Sequence, residues 1–174
     1  MTRSIAALLC LLMPTAAAAQ NPISDAIRDG WNGAKRTLTR AGEAMPDAKF
    51  TFKPVDTVRT YGQIIAHVAG ANYIFCAAAR GEKAPYAEDH FEKSATTKPA
   101  IMKALADSIA YCDAAYTALD DRKAADMVAA PFGNGKGARA SALMGNTGHL
   151  QEHYGNLVTY LRINGIVPPS SAGQ

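Results

Sequence analysis

The sequence predicts an all-α protein, a four-helix bundle with one long crossover connection between helices 2 and 3. Three observations lead there. Apolar residues recur at helical spacing in four long stretches. Little in the chain reads as strand. The polar segment "GEKAPYAEDHFEKSATTK" (81–98) separates the second and third stretches. It is far longer than the few residues that usually join neighbouring antiparallel helices, so it is expected to run the length of the bundle.

The first 19 residues stand apart from that domain. Arg3 gives a positive start, Ile5 to Met13 is a short apolar run, and Ala17, Ala18 and Ala19 supply small residues before Gln20. This is the layout of a secretory signal peptide cleaved after Ala19, and it predicts export, to the periplasm in a bacterial cell. The apolar run is too short for a permanent span, and no later segment is long and apolar enough to enter a membrane after signal cleavage.

The remaining chain, 20–169 with a flexible tail at 170–174, is long enough for one good core. The first helix is expected over about 22–44, with Ser24 or Asn21 as its cap and Ile23, Ile27, Trp31, Ala34, Leu38 and Ala41 on its inner face. The second starts at Asp56 or Thr57, both good caps, and stops at Gly81. Its stripe of Ile64, His67, Val68, Ala71, Ile74, Phe75 and Ala78 turns His67 inward. The third helix spans about 99–121, and the fourth about 138–164. Between them "PFGNGKG" lacks the Lys-Ser/Thr ending of a phosphate-binding loop and reads as a turn.

Charge excludes one class of partner. The whole chain carries 18 Lys/Arg against 15 Asp/Glu. The basic residues are scattered beside acids rather than clustered, which argues against nucleic acid. A small-molecule substrate remains the expected partner, and a homodimer is left open.

The chemistry lies in the histidines. His149 and His153 are four residues apart, on one face of the fourth helix. The string "HLQEH" also fits the H-x-x-E-H pattern of inverted zinc peptidases. Those need a further acidic ligand downstream, and no Asp or Glu follows Glu152. The third ligand is instead His67, an inward histidine on another helix. If helices 2 and 4 are antiparallel, His67 lies roughly 15 Å along one, and the pair lies roughly 17 and 23 Å along the other. These levels meet in the middle of the bundle. Three imidazoles around one cation leave a position open for water or substrate, as a reactive site requires. Glu152 is the candidate base or ligand-orienting carboxylate, although it points about 100° round the helix from His153. Asn146 and Tyr160 are candidate substrate contacts on the same side. His90, in the polar connection, reads as a solvated loop residue.

Two segments carry a family resemblance: "TYGQIIAHVAGANYIFC" (60–76) and "HLQEHYGNLVTYLRINGIVPPSS" (149–171). Together they resemble the DinB-like superfamily of damage-inducible four-helix-bundle proteins, the DinB/YfiT-like metalloenzymes. The resemblance implies a divalent metal, zinc, nickel or another first-row ion, held by His67, His149 and His153. It also brings metal-dependent thiol S-transferases and mycothiol-dependent isomerases into view. The activity expected here is metal-dependent hydrolysis, because an export signal departs from the reducing compartment in which small thiols work. A thiol transferase and a non-catalytic metal-binding bundle are the alternatives.

Two cysteines, Cys76 and Cys112, remain after signal removal. A crossover makes helices 2 and 3 parallel, with these residues only roughly 9 Å apart in height. In an exported protein that predicts a disulfide.

Overall fold

A computed structural model describes residues 20–173. The expected signal peptide at 1–19 lies outside the described residues. Six helices and one small hairpin follow in order: α1 (Pro22–Ala44), α2 (Tyr61–Arg80), α3 (His90–Ser94), α4 (Lys98–Thr117), α5 (Asp121–Ala124), β1 (Met127–Ala129), β2 (Lys136–Ala138) and α6 (Arg139–Ile163). The four long helices, α1, α2, α4 and α6, form the bundle. No described helix is long and apolar enough to cross a membrane.

Side-chain contacts fix the directions. Asn72 meets Ser108 and Cys76 meets Cys112, so α2 and α4 run parallel. His67 meets His149 while Cys76 lies near Asn146, so α6 runs against α2. Trp31 bonds Asp113 while Arg28 reaches the carbonyl of Leu119, so α1 runs against α4. The helices therefore pack in the ring order α1, α4, α2, α6. The parallel pair α2 and α4 is what the long connection at 81–97 makes possible, since parallel neighbours need a return across the bundle.

The core is built from the inner faces of all four. Trp31, Leu38, Tyr61, Leu105, Tyr116, Leu143, Leu150, Leu157 and Leu161 are fully buried. Trp31 stacks flat on Tyr116, with ring centroids 4.5 Å apart. Its indole N–H donates to Asp113, which satisfies the one polar atom that burial would otherwise strand. Helix α2 is buried on nearly every side. Its outer face is covered by the connection carrying α3, so a single apolar stripe understates how much of it is inside.

Several local expectations need correction. Helix α2 begins at Tyr61, not at Asp56 or Thr57. Thr60 caps it, with Gln63 closing a reciprocal capping box. Neither Asn21 nor Ser24 caps α1 through its own side chain. Asp121, on α5, accepts from the backbone N–H of Ser24 at 2.8 Å and of Ile23 at 3.3 Å. Helix α4 stops at Thr117, and the expected turn around "PFGNGKG" is the loop of an antiparallel hairpin pairing Met127–Ala129 with Lys136–Ala138. The third connection, 118–138, is therefore longer than the second, 81–97. The tail is also not loose throughout: Ser170 exchanges hydrogen bonds with Tyr154, through its N–H and its hydroxyl.

Candidate metal centre

Helix α2 supplies His67, and α6 supplies His149 and His153. The Nε2 of His149 lies 3.1 Å from that of His67 and 3.0 Å from that of His153. One donor atom from each ring lies within 4.8 Å of the others. His67 and His153 are buried and His149 is partly so. The i, i+4 spacing stacks two imidazoles on one face of α6, and the antiparallel α2 presents the third at the same height.

The other ring nitrogens set the chemistry of this trio. Nδ1 of His67 lies 3.2 Å from Oε1 of Glu92. Glu92 is in turn held by Arg59, whose Nε donates to Oε2 at 2.9 Å. With its proton on the Glu92 side, His67 turns a bare lone pair toward the other two rings. This carboxylate–imidazole pairing is the usual way a protein fixes the tautomer of a metal-binding histidine. Burial, then the proximity of His153 and His67, pushes His149 down to about 3. Burial, then His67, pushes His153 down to about 4. Both rings are therefore neutral near pH 7. The three Nε2 atoms cannot all be satisfied by mutual hydrogen bonds, because each such bond needs a proton on one of the two nitrogens and a lone pair on the other. A cation at their meeting point would satisfy all three, so the residues present fit a divalent metal by the chemistry of their donors.

The connection at 81–97 delivers the acids. Its backbone crosses α2 at Gly70, where a Cβ would fall 2.8 Å from the carbonyl carbon of Glu88 and closer still to its oxygen. Only glycine permits that approach. Phe91 and Tyr86 then pack on Tyr73. His90 stacks on Tyr86 at 4.6 Å and takes no part in the trio.

The site opens to one side. A cleft of about 670 Å³ is lined by His153, Asn156, Tyr160, Ile64 and Gln63, with residues 56–59 of the preceding loop. Tyr160 lines it, with its hydroxyl donating to the carbonyl of Arg59 at 2.8 Å. Asn146 does not, which corrects its reading as a substrate contact. It is fully buried, and its amide donates to the Tyr116 hydroxyl and lies 3.6 and 3.7 Å from the sulfurs of Cys76 and Cys112. Those two cysteines are joined by a disulfide, with Cα atoms 5.3 Å apart. Glu152 is exposed, and its effect on the trio is electrostatic, opposing the downward shift of His153. The carboxylate that touches a histidine is Glu92, which sequence reasoning missed. Its one available signal was the Glu88–Glu92 spacing, which sets two acids on one face if the segment is helical.

Fold and site together define a helical bundle with an inter-helix three-histidine centre. A family profile described as the DinB superfamily matches residues 31–157. The chain belongs to the DinB superfamily. Among solved structures it resembles a DinB-like protein from Bacillus cereus at a TM-score of 0.66 and 14% identity, over 83% of this chain and 95% of that one. A DinB-like protein from Bacillus subtilis aligns with a TM-score of 0.60 and 18% identity, over 80% of this chain and 92% of that one. A mycothiol-dependent maleylpyruvate isomerase aligns with a TM-score of 0.60 and 16% identity. That match takes in 78% of this chain but only 59% of the isomerase. No curated protein sequence matches the chain.

Proposed function

We propose that this protein is an exported, metal-dependent hydrolase of a small molecule, with His67, His149 and His153 as metal ligands. The observation that carries the reading is the convergence of three imidazole nitrogens beside an open cleft, which one of the three, His153, lines. A bound divalent ion, zinc, nickel or another first-row metal, would supply Lewis acidity and lower the pKa of a water in the cleft. The chain's own part is to hold the three rings, through Glu92 and Arg59 on His67, and to shape the cleft with Tyr160 and Asn156. Export, and with it a periplasmic location, rests on the signal-like segment at 1–19, and a buried disulfide suits an oxidising compartment.

The test is hydrolysis of a panel of esters and amides by metal-loaded protein beside His149→Ala. Activity in the wild type and loss in the variant are expected, and equal activity in both would sink the hydrolase reading. A thiol transferase is the second reading, favoured by the structural likeness to a mycothiol-dependent isomerase. It predicts turnover only when a low-molecular-weight thiol is added. Tight metal binding without turnover on either panel would leave a metal-binding bundle.

A further inference from the structure

We propose that Glu88 is a fourth protein ligand of the three-histidine centre, so that the metal is held by three imidazoles and one carboxylate. The inference rests on the metal-site reading above and extends it to a residue on a different element. Oε1 of Glu88 lies 3.7 Å from Nε2 of His67, the nitrogen that lies 3.1 Å from Nε2 of His149. Two donors sharing one tetrahedral cation sit about 3.4 Å apart when each is about 2.1 Å from it. That one separation is close to a ligand–ligand edge, and since among the described residues the donors already within 4.8 Å of one another are the three histidines alone, the Glu88 side chain must turn to complete the set.

Three further observations separate Glu88 from an ordinary surface acid. First, its main chain is pressed onto α2 at Gly70, one turn of helix from His67, where no other residue would let it approach. That contact costs α2 a side chain in its interior, and what it secures is the position of Glu88. Second, the two acids of this segment address different atoms of one ring. Glu92 meets Nδ1 and Glu88 faces Nε2, which divides them into an orienting carboxylate and a ligating one. Glu92 is already shared with Arg59. Third, Glu88 has no other polar partner among the described residues, and its side chain is 40% exposed, so it is free to swing the remaining distance. A carboxylate would also offset part of the charge that three neutral imidazoles leave on a divalent ion. It would widen the range of ions accepted toward those that favour oxygen donors, such as manganese and iron(II).

The test uses the full mature chain, stripped of metal and titrated with cobalt(II) against a chromophoric chelator, with the visible spectrum of the bound ion recorded. Wild type is compared with Glu88→Gln, Glu88→Ala, Glu92→Gln and His149→Ala. Both Glu88 variants should bind cobalt about 10- to 100-fold more weakly, and their ligand-field bands should change in position and intensity. Glu92→Gln should weaken binding while leaving the band pattern as in wild type. Unchanged affinity and spectrum in the Glu88 variants would overturn the proposal. So would weaker binding with an unchanged spectrum, which would place Glu88 outside the coordination sphere. If His149→Ala binds cobalt as wild type does, the three-histidine site itself fails, an outcome distinct from failure of Glu88 alone.

Discussion

Helices α2 and α6 carry two buried polar clusters, and they have opposite characters. One is His67, His149 and His153, with Glu88 and Glu92 laid over it. The other is Cys76 and Cys112, with Asn72, Ser108 and Asn146 around them. Nine residues on α2 separate His67 from Cys76, roughly 13 Å along the axis. The disulfide cluster is closed by a covalent bond and by hydrogen bonds such as Asn72 to Ser108 at 3.0 Å and Asn146 to Tyr116 at 3.3 Å. It lies in the core, and none of its five residues lines the cleft at His153. The histidine cluster has donors aimed inward at one point and a cleft on its flank. Both are polar groups taken out of water, and both must be compensated. One is compensated largely within the chain, through its N–H and O–H donors, although Asn72 Oδ1 and Asn146 Oδ1 have no hydrogen-bond partner among the described residues. The other is arranged for a partner from outside. Burial and polarity alone do not mark a functional site; the direction of the lone pairs does.

If that division is right, mutations at the two ends should separate stability from metal binding. The largest expected effect is at the closed end. Replacing Cys76 and Cys112 together by Ser opens a loop of 36 residues. It should cost about 3 to 4 kcal/mol of unfolding free energy, read by urea denaturation, with metal affinity changed by less than about twofold once the protein is folded. A large fall in affinity in the folded double variant would show that the clusters are coupled. His149→Ala should have the converse profile. Its Nε2 is the one within hydrogen-bonding distance of both others. Affinity should fall at least about 100-fold, or about 2.7 kcal/mol, by chelator competition, with little change in the urea midpoint of metal-free protein.

Gly70→Ala probes the connection that joins the two behaviours. The added methyl group collides with the Glu88 backbone, not with a side chain that can turn aside. About 1 to 3 kcal/mol of stability should be lost, together with metal affinity. A variant that loses stability but keeps its affinity would show that the acids are held by the aromatic contacts of Tyr73 and Tyr86 instead. Glu92→Gln is milder. It keeps the shape and removes the charge facing Nδ1 of His67, and metal affinity should fall about tenfold.

The last expected effect, read in metal-free protein, is in pH. In metal-free protein His149 and His153 are pushed down to about 3 and about 4, from an ordinary value of 6.5. As pH falls below 6.5 the unfolded chain takes up protons that the folded chain refuses. The contribution of these two rings to stability is therefore full above about pH 6.5 and is lost progressively toward pH 4 and below. The urea midpoint should drop between pH 7 and 4.5, and the drop should shrink in His149→Gln. A midpoint insensitive to pH in both would contradict the burial that depresses these rings.

Much of the bundle was legible because helical spacing repeats over many residues. His149 and His153 could be paired from sequence, since i and i+4 share a face in any helix. His67 could be added because its neighbours Ile64, Val68 and Ala71 turn it inward. Glu92 could not. It follows a polar run with no apolar period, and its role depends on where a connection of irregular shape crosses α2. Asn146 misled for a related reason. It sits one turn before His149, but α4 approaches there with Tyr116 and Cys112 and closes that face. The cap of α1 was invisible too, because Asp121 is 97 residues from the Ser24 it serves.

The sequence by itself determined the four amphipathic stretches, the three histidines that face inward, and the long polar interval that lets α2 and α4 run parallel. These follow from local periodicity, and a single helix expresses it without knowing its neighbours. Only the tertiary structure decided which acids reach the histidines, which polar residues face the cleft, and that Gly70 admits a backbone onto α2. Those depend on how two or three elements meet at one point, and short-range spacing does not encode the angle and depth at which they cross.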